Sequence, residues 1–273
     1  MNILITGGYG FIGSNLIIHL LNHYPSYKIL NIDSKTYASN HNNLKFLKKY
    51  RKYSFKKIDI NNYNKLNEII LKFKPNIIFN LAAESHVDNS IENSKKFIQT
   101  NIVGTYNLLN ISKNYYKRKS KNFLFFQVST DEVYGDLNKN DNSFTEDSNI
   151  KPSSPYSASK ASADHLVQSF FRTYNLPTII SRCSNNYGPY QYKEKLIPKI
   201  IFNVLKNKFI PVYNKGEEVR DWIHVSDHID ALITLSKKGK FGHVYNIGSN
   251  NEIKNIILVK KILKIIKNKT QKS

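Results

Sequence analysis

Gly7-Gly8-Tyr9-Gly10-Phe11-Ile12-Gly13 is the stretch that decides the fold of this chain. Before it runs Asn2 to Thr6, short, apolar and β-branched, which reads as a strand. After it Ser14 to Asn22 reads as a helix. Glycines at 7, 10 and 13 give a GxxGxxG spacing. Gly7 permits a tight turn, Gly10 lets a pyrophosphate approach the backbone, and Gly13 lets helix and strand pack closely. With amides at the helix N-terminus facing the phosphates, the turn reads as a dinucleotide site. Tyr9 is expected to point outward. Asp33 lies twenty positions beyond Gly13, at the end of the next strand. Its carboxylate suits an adenosine ribose and repels a 2′-phosphate, which favours NAD over NADP.

Further along, strands alternate with helices. Lys28 to Ile32, Ser54 to Ile58, Asn76 to Leu81, Phe123 to Ser129 and Thr178 to Arg182 read as strands. Leu44 to Lys52, Lys65 to Phe73, Phe97 to Tyr115 and Pro155 to Tyr174 read as helices. This rhythm predicts an α/β fold with a Rossmann-type, doubly wound parallel sheet. The polar stretch from Leu137 to Ser154 reads as a surface loop. After Ser184 the elements shorten, with helices expected at Val225 to Lys237 and Asn255 to Lys267 and a strand at Tyr245 to Ile247. The domain reading is therefore 1–184 for a dinucleotide domain and 185–273 for a smaller substrate lobe, some of whose later elements return to the sheet. The residues from Asn268 onward are expected to fray.

Composition narrows the functional classes. Hydrophobic residues make up 40% of the 273, enough for a packed core. One cysteine, Cys183, rules out an intramolecular disulfide and a cysteine-built zinc site, and no metal is expected. His86, His224 and His228 read as packing or hydrogen-bonding residues. No apolar run is long enough to span a bilayer, and the N-terminus does not read as a signal peptide, so the expected location is the cytoplasm. The formal net charge is +21, which raises nucleic acid as a partner. The lysines are dispersed among Asn and Ile, and no nucleic-acid motif accompanies them. Neither nucleic acid nor membrane is therefore expected as a partner.

Two segments carry reaction chemistry. Tyr156-Ser157-Ala158-Ser159-Lys160 puts a phenol and an ammonium at i and i+4 on one helix face. A lysine cation beside a phenol favours phenolate, which can take an alcohol's proton as hydride leaves to NAD. Taken alone, the spacing equally fits an ordinary amphipathic face. Ser129-Thr130-Asp131-Glu132 ends a buried strand, where side chains of open α/β sheets gather. Adjacent carboxylates in unlike surroundings can divide acid and base roles; the bland alternative is a solvated acidic turn. Arg220 offers paired donors for a diphosphate, or else is a structural surface arginine.

By these residues and motifs the sequence resembles the extended short-chain dehydrogenase/reductase family, and within it the dTDP-glucose 4,6-dehydratase group. The matching stretches run nearly end to end, from residues 7–14, 33–40 and 81–91 through 129–137 and 152–165 to 183–189, 211–222 and 245–248. Leu81-Ala82-Ala83-Glu84-Ser85-His86-Val87-Asp88 and Thr130-Asp131-Glu132 are the most specific. The resemblance implies NAD as cofactor, a dTDP-glucose substrate, and a lyase reaction yielding the 4-keto-6-deoxy sugar. It implies Tyr156 as base tuned by Lys160, Thr130 near the C4 oxygen, Glu132 as the C5 base and Asp131 as the acid at C6.

The same matching implies cofactor contacts at Gly7, Gly10, Phe11, Ile12, Gly13, Asp33, Ser34, Lys35 and Thr36. It adds Asp59, Ile60, Leu81, Ala82, Ala83, Ser85, Thr100, Tyr156, Lys160 and Asn186. For substrate it implies Ser85, Thr130, Asn185, Lys195, Leu196, Pro211, Tyr213, Arg220 and Asn255. A homodimer through the segments 97–115 and 155–174 is implied as well, as is a place in deoxysugar biosynthesis. Members of the group continue several tens of residues past position 273, in a tail that completes the nucleotide pocket. Alternative readings are a related UDP-sugar epimerase, dehydratase or decarboxylase, or an NAD-binding protein without turnover.

Overall fold

Ile3, Leu4 and Ile5 are all buried, as a parallel strand covered by helices on both faces requires. They belong to β1 (Asn2–Thr6), an inner strand of a seven-stranded sheet in the computed structural model. The model describes residues 1–119, 122–137 and 141–270; the side chains of Lys48, Lys119, Tyr213, Lys269 and Thr270 lie outside the described residues. The chain continues through α1 (Phe11–His23), β2 (Lys28–Asp33), a 3-10 stretch at His41–Lys49, β3 (Tyr53–Lys57) and α2 (Tyr63–Phe73). It then runs through β4 (Ile77–Asn80), α3 (Val87–Glu92), α4 (Ser94–Phe97), a π-helical segment at Ile98–Gly104 and α5 (Thr105–Lys119). Next come β5 (Leu124–Thr130), a 3-10 turn at Asp131–Tyr134, α6 (Pro155–Tyr174) and β6 (Thr178–Cys183). The later elements are β7 (Asn185–Tyr187), α7 (Leu196–Leu205), a 3-10 turn at Tyr213–Gly216, β8 (Val219–His224), α8 (Val225–Lys238), β9 (Val244–Ile247), β10 (Glu252–Lys254) and α9 (Asn255–Thr270).

The sheet order is β3-β2-β1-β4-β5-β6-β9, all parallel. The chain winds outward from β1 to β3, then returns beside β1 at β4. That reversal is the crevice where ligands of open α/β sheets bind. Alternate strand residues face opposite sides. On one side Ile3, Ile5, Phe79 and Phe126 pack on Leu16 and Leu20 of α1 and Leu232 of α8. On the other, Leu4, Ile78 and Phe125 pack on Ile70 of α2, Leu108 of α5 and Val167 of α6. Truncating a ring such as Phe126 to alanine would cost about 3–5 kcal/mol. A second sheet, β10-β8-β7, stands beside the carboxyl ends of the first.

The structure departs from the sequence reading at several points. Leu44 to Lys52, read as an α-helix, lies largely in the 3-10 stretch. The single helix expected from Phe97 to Tyr115 is interrupted by π-helical geometry, which adds a residue to the turn. The final helix persists to Thr270 instead of fraying from Asn268, and residues 271–273 lie outside the described residues. Of the loop expected at 137–154, residues 138–140 also lie outside them. Tyr9 does not point outward: it is buried, its ring 4.6 Å from that of Phe55.

Candidate functional site

At the carboxyl ends of the strands lies a cavity of about 930 Å³, near the upper end for ligand pockets. The glycine turn forms one wall. Gly7 has φ +69°, and a Cβ there would lie 2.8 Å from the Ala82 backbone. A Cβ on Gly13 would lie 2.4 Å from Gly7 O. At Gly10 a Cβ would meet only Gly7 O, at 3.1 Å, so the rest of its surroundings are open. No side chain caps α1, so the first-turn amides of Phe11, Ile12 and Gly13 have no side-chain partner and border the cavity. This cradle fits a pyrophosphate.

Asp33 closes the far end. Its Oδ2 accepts from Tyr9 N at 2.9 Å, and its Oδ1 accepts from Lys35 N and the Ser39 hydroxyl, both at 2.7 Å. Of the roughly four acceptor positions of a carboxylate, one on Oδ2 is left over. Ser34, Thr36, Asp59 and Ile60 line the same end, whereas Lys35 does not. The turn of Leu81, Ala82 and Ala83 lines the middle, held where the Thr6 hydroxyl accepts from Ala82 N at 3.1 Å. Ser85 and Thr100 also line it. Asn101, in the π-helical segment, bonds Glu84 N and O and the Ser159 hydroxyl, tying this turn to α6.

Opposite stands α6. Pro155 at its first turn and a reciprocal Ser154–Ser157 capping box fix where the helix begins. Tyr156 and Lys160 both line the cavity, with Thr130 and Glu132 from the end of β5. The Thr130 hydroxyl donates to Asp131 Oδ1 at 3.3 Å and accepts from Glu132 N. Asp131 itself does not line the cavity but is tied by that bond to Thr130, which does. Burial, and then the Glu132 charge, push its carboxyl up to about 7, so it holds a proton near neutrality. Burial also raises Glu132, opposed by the Lys195 and Arg220 cations.

The lowered phenol expected of Tyr156 beside Lys160 is not what the resting site holds. Burial first, and then the Glu132 charge, hold the phenol well above its ordinary value. The Lys160 ammonium points to Val128 O at 2.7 Å, and burial lowers its own value.

The second sheet supplies the remaining wall. Asn185, Asn186, Lys195, Leu196, Arg220 and Asn255 all line the cavity. Lys195 Nζ donates to Ser85 O at 3.1 Å, bridging the two sides. Asn186 Oδ1 bonds the buried His228 ring at 2.8 Å. Pro211 does not line the cavity, and the Tyr213 side chain lies outside the described residues. Sequence reasoning passed over Gln191, Trp222 and Cys183, which line it too. Gln191 Oε1, Trp222 Nε1 and Asn255 Oδ1 are buried there with no hydrogen-bond partner, as expected of groups that meet a polar ligand. Trp222 lies within a stretch that carried the resemblance, the one signal that pointed to it. Among the described residues no acidic, histidine or cysteine group could hold a metal ion, and no helix is long and apolar enough to cross a membrane.

The sheet order, glycine turn and tyrosine–lysine helix together define a Rossmann-type nucleotide-binding protein. The family model described as GDP-mannose 4,6 dehydratase matches residues 4–273, and the chain belongs to that family. It is 49% identical over 270 residues to a dTDP-glucose 4,6-dehydratase of Haemophilus influenzae, covering 97% of this chain and 80% of that protein. A solved dTDP-glucose 4,6-dehydratase of Bacillus anthracis, in complex with NAD, is similar with a TM-score of 0.89 at 47% identity; the match covers 97% of this chain and 81% of that one. A UDP-glucose 4-epimerase of Thermotoga maritima is similar with a TM-score of 0.86 at 29% identity, covering 97% and 82%.

Proposed function

We propose that this chain is an NAD-dependent dTDP-glucose 4,6-dehydratase. The observation that carries this is that Thr130, Glu132, Tyr156 and Lys160 line the same cavity as the glycine cradle, with Asp131, its carboxyl raised to about 7, hydrogen-bonded to Thr130. Epimerisation at C4 needs hydride and proton transfer at one carbon, whereas elimination of water needs a further acid and base. The identity gap between the dehydratase and epimerase relatives points the same way.

When bound along the cradle, NAD would supply the hydride acceptor and later the donor. With the Lys160 ammonium nearby, Tyr156 takes the C4 hydroxyl proton, and Thr130 orients the C4 oxygen. The resulting ketone acidifies the C5 hydrogen. Glu132 removes it, and Asp131, protonated near neutrality, gives its proton to the departing C6 hydroxyl, releasing water. Glu132 then returns a proton to C5 as hydride reaches C6. Asn185, Lys195, Leu196, Arg220 and Asn255 would hold the nucleotide diphosphate end.

The partner is a second copy, through the faces of residues 97–115 and α6, where Ile98, Tyr106 and Tyr174 are exposed. Sedimentation at micromolar concentration tests this. A cytoplasmic location fits the single, buried cysteine. Product analysis by NMR with dTDP-glucose and UDP-sugars tests the reaction. The expected product is the 4-keto-6-deoxy sugar nucleotide without net NADH; steady NADH accumulation, or C4 inversion alone, overturns the assignment.

A further inference from the structure

Lys35 is the one residue from Ile32 to Ser39 that does not line the cavity. Its backbone is left-handed, with φ 59°, although it carries a side chain, and its amide donates to Asp33 Oδ1 at 2.7 Å. Its ammonium lies 4.9 Å from the ring centre of Phe55 and 5.6 Å from that of Tyr9. The two rings are in contact, with centres 4.6 Å apart. Tyr9 also anchors the surrounding loop by its main chain, giving N–H to Asp33 and accepting from Asn40 N at 3.0 Å.

A cation two residues beyond the ribose-facing carboxylate is well placed to meet a 2′-phosphate, the role an arginine plays where that phosphate is accepted. Here the rings hold the cation elsewhere. We propose that the Tyr9–Phe55 pair is a specificity device: it keeps the Lys35 ammonium off the cavity and so preserves selectivity against a dinucleotide carrying a 2′-phosphate. This rests on the reading of the cavity as an NAD site. Asp33 supplies the repulsion, and the ring pair holds back a nearby charge that would offset it. Ring–ammonium contacts at an exposed position bias a side chain by about twofold to fivefold, and the discrimination should move by a like factor.

Calorimetric titration of the protein with NAD and with NADP tests the device, using wild type, Tyr9→Leu, Phe55→Leu and Phe55→Leu/Lys35→Ala. Leucine keeps apolar bulk and removes the ring face. Because Tyr9 is buried, Phe55→Leu, on the partly covered strand β3, is the variant that decides if Tyr9→Leu misfolds. The expected result for Phe55→Leu is NADP affinity raised about twofold to fivefold with NAD affinity unchanged. The gain should shrink at high salt and vanish when Lys35 is also removed. An unchanged ratio in Phe55→Leu, or a gain that survives loss of the lysine, overturns the proposal. Wild-type binding of NAD is the separate control. Its failure removes the cofactor reading, whereas a fixed ratio beside normal NAD binding removes only the ring device.

Discussion

The two ends of the cavity treat their carboxylates in opposite ways. At the glycine end Asp33 is pinned by three donors at 2.7 to 2.9 Å. At the other end Asp131 receives one bond of 3.3 Å from Thr130 and shares its burial with Glu132, which lifts it to about 7. One end is electrostatically settled before any ligand arrives. The other keeps charges in poor surroundings, where they trade protons readily. Recognition calls for the first condition and proton transfer for the second.

Substitutions at each end should therefore fail differently. Tyr156→Phe should lower kcat by about 10³–10⁴-fold while leaving NAD affinity within about threefold, measured by product formation and titration. A large loss of NAD binding would show that the reaction end also carries recognition. Glu132→Gln should lower kcat by about 10²–10³-fold. It should also abolish solvent deuterium incorporation at C5, read by NMR of the product. At the settled end, Asp33→Ala should weaken NAD about tenfold, because three donors lose their charged acceptor. Its kcat at saturating NAD should stay within about threefold of wild type.

The smallest effect is on stability. A carboxyl whose folded pKa is raised stabilises the fold below its unfolded value, near 4, and loses that contribution as pH rises through about 7. Asp131→Asn should thus raise stability at about pH 8 by about 1–2 kcal/mol, or about 2–4 °C in Tm, with no gain near pH 4. His228 runs the other way. Burial holds its ring down to about 4, so stability should fall as pH drops from about 6.5 towards 4, with a slope that His228→Asn flattens. Thermal melts across pH check both.

The settled end was the more legible in sequence. Glycine spacing and an aspartate at a strand end are local signals, and the helix read from Pro155 to Tyr174 has those bounds in the structure. The reaction end was legible as residue types but not as electrostatics. That Lys160 turns to Val128 O, and that Glu132 lines the cavity while Asp131 does not, depends on packing between β5, α6 and the second sheet. β7 and β10, of three residues each, gave no periodicity to read, because strands that short exist only through their pairing with β8. Tyr9 was misread because Phe55, forty-six positions away in sequence, supplies the contact that buries it.

The pairing of β9 with β6 has a consequence for biosynthesis. The inner strand β6 is buried along its whole length, yet its outer neighbour comes from residues 244–247. Until the ribosome has delivered that segment, a nascent chain with its first six strands assembled presents an open, hydrophobic edge of the kind that recruits other chains. Nascent chains arrested before residue 244 should accordingly engage chaperones more strongly than those arrested once Val244–Ile247 has cleared the exit tunnel.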